Sequence, residues 1–188
     1  MTIPEAWYVQ DRTLTVDDME YMPDDEFRYE LDDGVLIVSP APSMLHQRAV
    51  TRLTVFLNAV CPAGFEVLAG VGVNIGKFQH RVPDVAVVRA ESTSGSVFQQ
   101  TPPALAVEVA SPRTRLYDRN RKKDIYAGFG IPAYWIVEPD MDRPELVVFE
   151  LRAGVHEQVA HVTGTEEYRA EIPLPVTIVP SRLVSPPA

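Results

Sequence analysis

Two short runs constrain this chain more than any other feature: 82–88 (VPDVAVV) and 104–110 (ALAVEVA), each apolar except for one carboxylate, Asp84 and Glu108. Runs of this length and composition read as strands buried within a sheet. A buried carboxylate costs several kcal/mol unless it is paired or bound to a metal. Asp84 stands near the start of its run and Glu108 near the end of the next. If the two strands are antiparallel neighbours, both acids arrive at the same end of the sheet. Adjacent strands lie about 4.7–4.9 Å apart, a gap that one hard cation bridges. The plainer alternative is two unrelated acids, each salt-bridged to an arginine.

The rest of the chain arranges itself around this pair. The segment 13–26 reads as a short helix, with Thr15 as its N-cap and Pro23 at its end. Strands 27–31 and 35–39 flank Asp32-Asp33-Gly34, a tight hairpin signal. Ser43 caps an amphipathic helix in which Leu45, Ala49, Leu53, Phe56 and Leu57 recur at helical spacing up to about Asn58. A long strand is predicted over 65–75 and a polar loop over 89–101. A helix over 114–129 is closed by Gly128 and Gly130. Strand 133–137 follows, then a hairpin over 145–151 and 155–162, then one or two short strands in a proline-rich end. This order implies one domain over 1–188 of the α+β (mixed α/β) class, a mixed sheet flanked by helices. It has an acidic N-terminal segment (1–26), an N-terminal hairpin and a C-terminal β extension (141–188).

With 188 residues, the chain can bury a core without staples, and its one cysteine, Cys61, excludes an internal disulfide or a cysteine zinc cluster. No apolar run reaches the ~18 residues a membrane helix needs, and the N-terminus does not read as a secretory signal. The expectation is a cytoplasmic protein with no membrane partner. The net charge of −9 argues against nucleic acid until it is divided along the chain. Residues 1–33 hold eleven acids and two bases, which accounts for all of it. Between 113 and 123, Arg113, Arg115, Arg119, Arg121, Lys122 and Lys123 oppose only Asp118, a local charge of +5. Phosphate binding depends on such a patch rather than on the total, although any solvated helix also collects arginines.

Asp118, Lys122 and Tyr126 fall at i, i+4 and i+8 and share one helix face. The chain has three lysines and fourteen arginines, so a lysine at 122 invites a reason. A compact ammonium can donate to a scissile phosphate and position an attacking water. The duller account is a helix salt bridge to Asp118. His46 opens its helix and reads as an accessory or a cap, and Tyr126 as a core aromatic with its hydroxyl toward the site. His80, His156 and His161 show no metal-ligand spacing.

The segments Tyr29-Glu30-Leu31-Asp32-Asp33-Gly34, Ser39-Pro40 to His46-Gln47, Pro83-Asp84-Val85, Glu108-Val109-Ala110-Ser111-Pro112, Tyr117-Asp118 through Lys122 to Tyr126 and Pro132 to Val137 together resemble the PD-(D/E)XK nuclease superfamily. More narrowly they resemble its Uma-two family of restriction endonucleases. The resemblance implies a restriction-endonuclease-like core, a nucleic-acid substrate and a homodimer. It also adds Glu30 as a site carboxylate. The superfamily motif has lysine two residues after the acid, where this chain has Ala110; in this family the lysine stands on the following helix, at Lys122.

The reading is an endonuclease hydrolysing phosphodiester bonds, in DNA before RNA, assisted by Mg²⁺ or Mn²⁺. Asp84 and Glu108 hold the ion, Lys122 and Glu30 complete the catalytic set, and His46, Tyr126 and Asp118 support it. Arg113, Arg115, Arg119, Arg121 and Lys123 contact neighbouring phosphates. The alternatives are a catalytically inactive nucleic-acid-binding or regulatory module with the same fold, and a structural homodimer whose acids are paired with arginine.

Overall fold

The computed structural model describes residues 13–93 and 100–185. The first twelve residues of the acidic segment and 94–99 of the expected polar loop lie outside that range. The elements are α1 (Val16–Met19), β1 (Arg28–Asp32), β2 (Val35–Ser39), α2 (Met44–Asn58), β3 (Phe65–Ala69), β4 (Val73–Gly76), β5 (Gln79–Arg81), β6 (Val85–Arg89) and β7 (Leu105–Val109). A composite helix, α3, follows: Arg115–Tyr117, a π-helical turn Asp118–Lys122, then Lys123–Phe129. After it come β8 (Ala133–Glu138), β9 (Glu145–Arg152), β10 (Val155–Thr163), β11 (Tyr168–Ala170), β12 (Val176–Ile178) and α4 (Pro180–Val184).

A six-stranded sheet, ordered β10-β9-β8-β7-β6-β3, forms the centre. Only β7 and β8 run parallel; the other neighbours are antiparallel. Period-two alternation divides its side chains between two cores. Val85, Val87, Leu105, Val107, Trp135, Val137 and Val148 face α2, α4 and the β11–β12 ribbon. Ala106, Tyr134, Ile136, Val147 and Phe149 face α3 through Tyr126 and Ile131. Both faces are covered, which is why these strands read as unbroken apolar runs. By the same parity Glu108 lies on the α3 side of β7.

A second sheet, ordered β2-β1-β5-β4, stands beside the first. Its hairpin turns through Asp33 (φ 48°) and Gly34 (φ 80°), both left-handed, as the tight two-residue loop requires. Gly34 has a second reason to lack a side chain, because a Cβ there would stand 1.9 Å from Thr13 Cγ2. Instead the Gly34 N–H donates to the Phe78 carbonyl and its own carbonyl accepts from Leu14 N–H, tying β4–β5 and the N-terminal strap to the hairpin.

Three expectations are corrected. The predicted helix over 13–26 closes after Met19. The single strand over 65–75 is two strands in different sheets, broken at Gly70 (φ 66°); an apolar run does not reveal a change of sheet. The C-terminal end holds, besides two short strands, the helix α4, whose Leu183 and Val184 close the α2 side of the core. No helix among the described residues is long and apolar enough to cross a membrane.

Candidate active site

β6 and β7 are antiparallel neighbours with Val85 opposite Val107, so Asp84 and Glu108 meet at one end of the central sheet. The Val109 N–H donates to Asp84 Oδ2 at 2.7 Å, stitching the two acid-bearing segments together. Glu30 reaches the same place from β1 of the second sheet, accepting from Val82 N–H at 2.9 Å. Its neighbours Tyr29 and Leu31 pack in a separate apolar cluster, so strand alternation turns Glu30 to the opposite face, where it is buried. From α3, the Lys122 ammonium lies 3.0 Å from Glu108 Oε1 and 3.1 Å from Glu30 Oε1. The Tyr126 hydroxyl donates to the same Glu108 oxygen at 2.7 Å. Asp118 is buried one turn earlier, and its backbone carbonyl accepts from Tyr134. The three residues of the α3 face therefore all turn inward, and the π-helical turn from 118 to 122 carries the lysine to the carboxylates rather than into an i, i+4 bridge. Such turns are often found at functional sites.

Asp84 has partners that the sequence did not announce. Arg28 Nη1 lies 2.6 Å from Oδ1, and His46 Nε2 lies 3.1 Å from Oδ2. His46 is presented at the start of α2 because Ser43 caps that helix, its hydroxyl accepting from His46 N–H at 3.3 Å. One signal did exist for Arg28: it is one of only two bases among the first 33 residues. The plain alternative of an acid salt-bridged to arginine is thus realised at Asp84 and not at Glu108.

These groups sit on the floor of a cleft of about 910 Å³. Lys122, Glu30, Asp84 and Glu108 are each 5% exposed or less. Burial opposes ionisation of Asp84, but His46 and Arg28, with Val109 N–H, bring it down to about 2. Glu108 goes the other way. Burial pushes it up to about 8; Lys122 opposes this, while Asp84, Asp118 and Glu30 add to it. Burial also opposes the charge on Lys122, yet Glu108 and Glu30 raise its pKa above the ordinary lysine value, so it keeps its proton. Glu30, despite burial, is held below its ordinary value chiefly by Lys122.

The chemistry of this set fits a divalent ion. The donors are hard carboxylate oxygens. Five acids against three lysines and arginines line the cleft, a formal excess of −2 with every acid ionised, which a single such ion would neutralise. As arranged, no three His, Cys, Asp or Glu residues among those described stand in a metal-holding group. Loading an ion at Asp84 requires Arg28 to let go, which its partly exposed side chain permits.

The basic patch is placed differently from the acids. Arg115 and Arg119 converge on Glu138, at 2.8 and 2.6 Å. Arg121 pairs with Asp32 and Asp33. Lys123 covers the Phe149 ring, 5.7 Å from its centroid. Of the five residues expected to meet phosphate, only Arg113 lines the cleft, and it is exposed there. Sequence could not foresee this, because the acids that engage the arginines come from distant strands. The other histidines are structural: His80 lies 2.7 Å from Asn74 Oδ1, His156 between the Lys123 and Ile131 carbonyls, and His161 beside Glu145.

Comparison with known proteins agrees with this architecture. A crystal structure from Anabaena variabilis ATCC 29413, described as a "putative nuclease belonging to DUF820", superposes with a TM-score of 0.68. The two chains are 16% identical over 85% of this chain and 89% of that one, a likeness of fold. No curated protein sequence matches the chain. A family model described as "Putative restriction endonuclease" matches residues 16–180, nearly the whole described chain and every residue of the cleft floor: the chain belongs to the Uma2 family.

Proposed function

We propose that the protein is an endonuclease that hydrolyses phosphodiester bonds, in DNA, with Mg²⁺ or Mn²⁺ held by Asp84 and Glu108. The observation that carries this reading is the position of Lys122, whose buried ammonium lies within 3.1 Å of carboxylates from two different sheets at the floor of an open cleft. A lysine kept charged in so enclosed a place is poised to donate to a phosphate as charge develops on it. A divalent ion at this carboxylate pair supplies polarisation of the phosphoryl oxygen and acidification of water. The protein's own groups do the rest. Glu30 and Glu108 hold the ammonium in place, and Tyr126 fixes the Glu108 carboxylate. His46 and Val109 N–H orient Asp84. Arg28, once released from Asp84, and Arg113 at the rim are the cations available to a bound phosphate.

The test is incubation of supercoiled plasmid with the protein and Mn²⁺. Nicking by the wild type and its loss in Asp84→Ala and Lys122→Ala are expected; cleavage that persists in Lys122→Ala rejects the mechanism. The Arg28–Asp84 pair favours a second reading, a nucleic-acid-binding module without catalysis. Calorimetry beside the cleavage assay separates the two: Mn²⁺ uptake without cleavage of any DNA or RNA tested favours the module.

A further inference from the structure

We infer that the cleft accepts an unpaired strand of DNA in preference to an intact duplex. The inference rests on the nuclease reading and specifies what enters that site. The groups that would act on phosphate lie at the cleft floor, with Asp84 and Glu108 each only 3% exposed. To reach them a phosphodiester must enter the cleft, which the 39–43 loop and the 111–114 turn both line. At about 910 Å³ the space falls within the roughly 300–1,000 Å³ of pockets that enclose small molecules. A few nucleotides of one strand fit such a volume; a double helix, with its partner strand attached, does not.

Charge points the same way. Duplex DNA is bound through rows of basic side chains, since it carries one charge per ~1.7 Å of axis, against ~3.4 Å for each strand. Here the helix arginines that would form such a row are tied to Glu138, Asp32 and Asp33. The cleft itself is lined by more acids than bases. With a bound ion offsetting that excess, Arg28 and Arg113 are left to meet phosphate, too few for the row a duplex needs. The walls, meanwhile, suit unstacked bases. Phe27, Ile37 and Leu45 line the cleft and are only half-buried, with Pro40, Pro42 and Pro112 exposed beside them. Aromatic and apolar surface of this kind takes base faces without reading sequence.

The test uses the full chain and fluorescence anisotropy in Ca²⁺ with three labelled probes: an oligodeoxynucleotide, its blunt duplex, and that duplex with a central unpaired bubble. The single strand and the bubble should bind at least about tenfold more tightly than the duplex. Phe27→Ala should weaken single-strand binding by roughly five- to a hundredfold, the range for losing one base–aromatic stack, and Phe27→Trp should restore it. Equal or tighter binding of the duplex overturns the inference, as does binding of none of the probes. So does a Phe27→Ala variant with native circular dichroism and unchanged affinity. Cleavage of the same probes in Mn²⁺ is read separately. If the preference for unpaired DNA is present but no probe is cut, the nuclease reading falls and the assignment of the cleft stands.

Discussion

Enclosed beside Asp84, Asp118 and Glu30, with one ammonium among them, Glu108 is the carboxylate on which the electrostatic excess of the site is concentrated. Its pKa, pushed up to about 8, lies above that of an unfolded carboxylate. The stability it contributes is therefore complete at acid pH and is lost progressively as pH rises from the ordinary carboxylate range to about 8. Asp84, held down to about 2, acts in the opposite sense: its contribution is present above the ordinary range and lost as pH falls toward 2. Without metal, Glu108→Gln should melt higher than the wild type at pH 8 and equally at pH 4, while cutting nothing. An unchanged Tm at pH 8 refutes the assignment. Lys122→Ala should be the reverse case, since it leaves two buried carboxylates without the ammonium to which both are paired. A loss of about 3–5 kcal/mol in urea denaturation is expected. Arg28→Gln should tighten Mn²⁺ binding several-fold by calorimetry, because the guanidinium and the ion compete for Asp84.

The composite helix α3 does two jobs with neighbouring side chains. Its inner face delivers Lys122 and Tyr126 to Glu108, and its outer arginines fasten it to β1 and β8. Arg81, fully buried, completes the fastening on the β1 side by pairing with Asp32 at 2.8 Å, while Tyr117 donates to the other Asp32 oxygen at 2.6 Å. Arg121→Ala and Arg113→Ala should therefore behave differently. The first should lower stability with little change in the salt dependence of DNA binding. The second should leave stability alone and reduce the slope of log K against log salt by about 1. Equal slopes for both variants would contradict the placement. Periodicity made this helix legible in the sequence, along with α2, the hairpin and both acid-bearing strands. It did not show the π-helical turn, which leaves no residue pattern of its own, nor the break at Gly70, where one run serves two sheets.

The site was legible as far as a buried charge must have a reason. Asp84 and Glu108 stood out as single acids in apolar runs and Lys122 as a rare lysine among arginines, and the structure brings that lysine against Glu108. Glu30 came only through the family resemblance, since a glutamate in a short hairpin strand carries no such contrast. Arg28 and Glu138 were missed because their meaning depends on partners more than fifty and about twenty residues away. If Mn²⁺ binds the native site alone, the Tm should rise with its concentration, by an amount equivalent to about 2.7 kcal/mol at a hundredfold excess over Kd, and should not rise in Asp84→Ala.

Glu30 belongs to the small sheet, while Asp84 and Glu108 belong to the large one. On the proposed reading, activity therefore depends on the docking of the smaller sheet onto the larger, through contacts that include the polar pairs Lys122–Glu30, Arg28–Asp84 and Val82–Glu30. Sub-global openings cost less free energy than global unfolding, and the expected one here is release of the smaller sheet. In rising urea, cleavage should vanish while the far-ultraviolet signal is still native, and the amides of Arg28–Asp32 should exchange with solvent before those of Leu105–Val109. Simultaneous loss of both would mean the two sheets are a single cooperative unit.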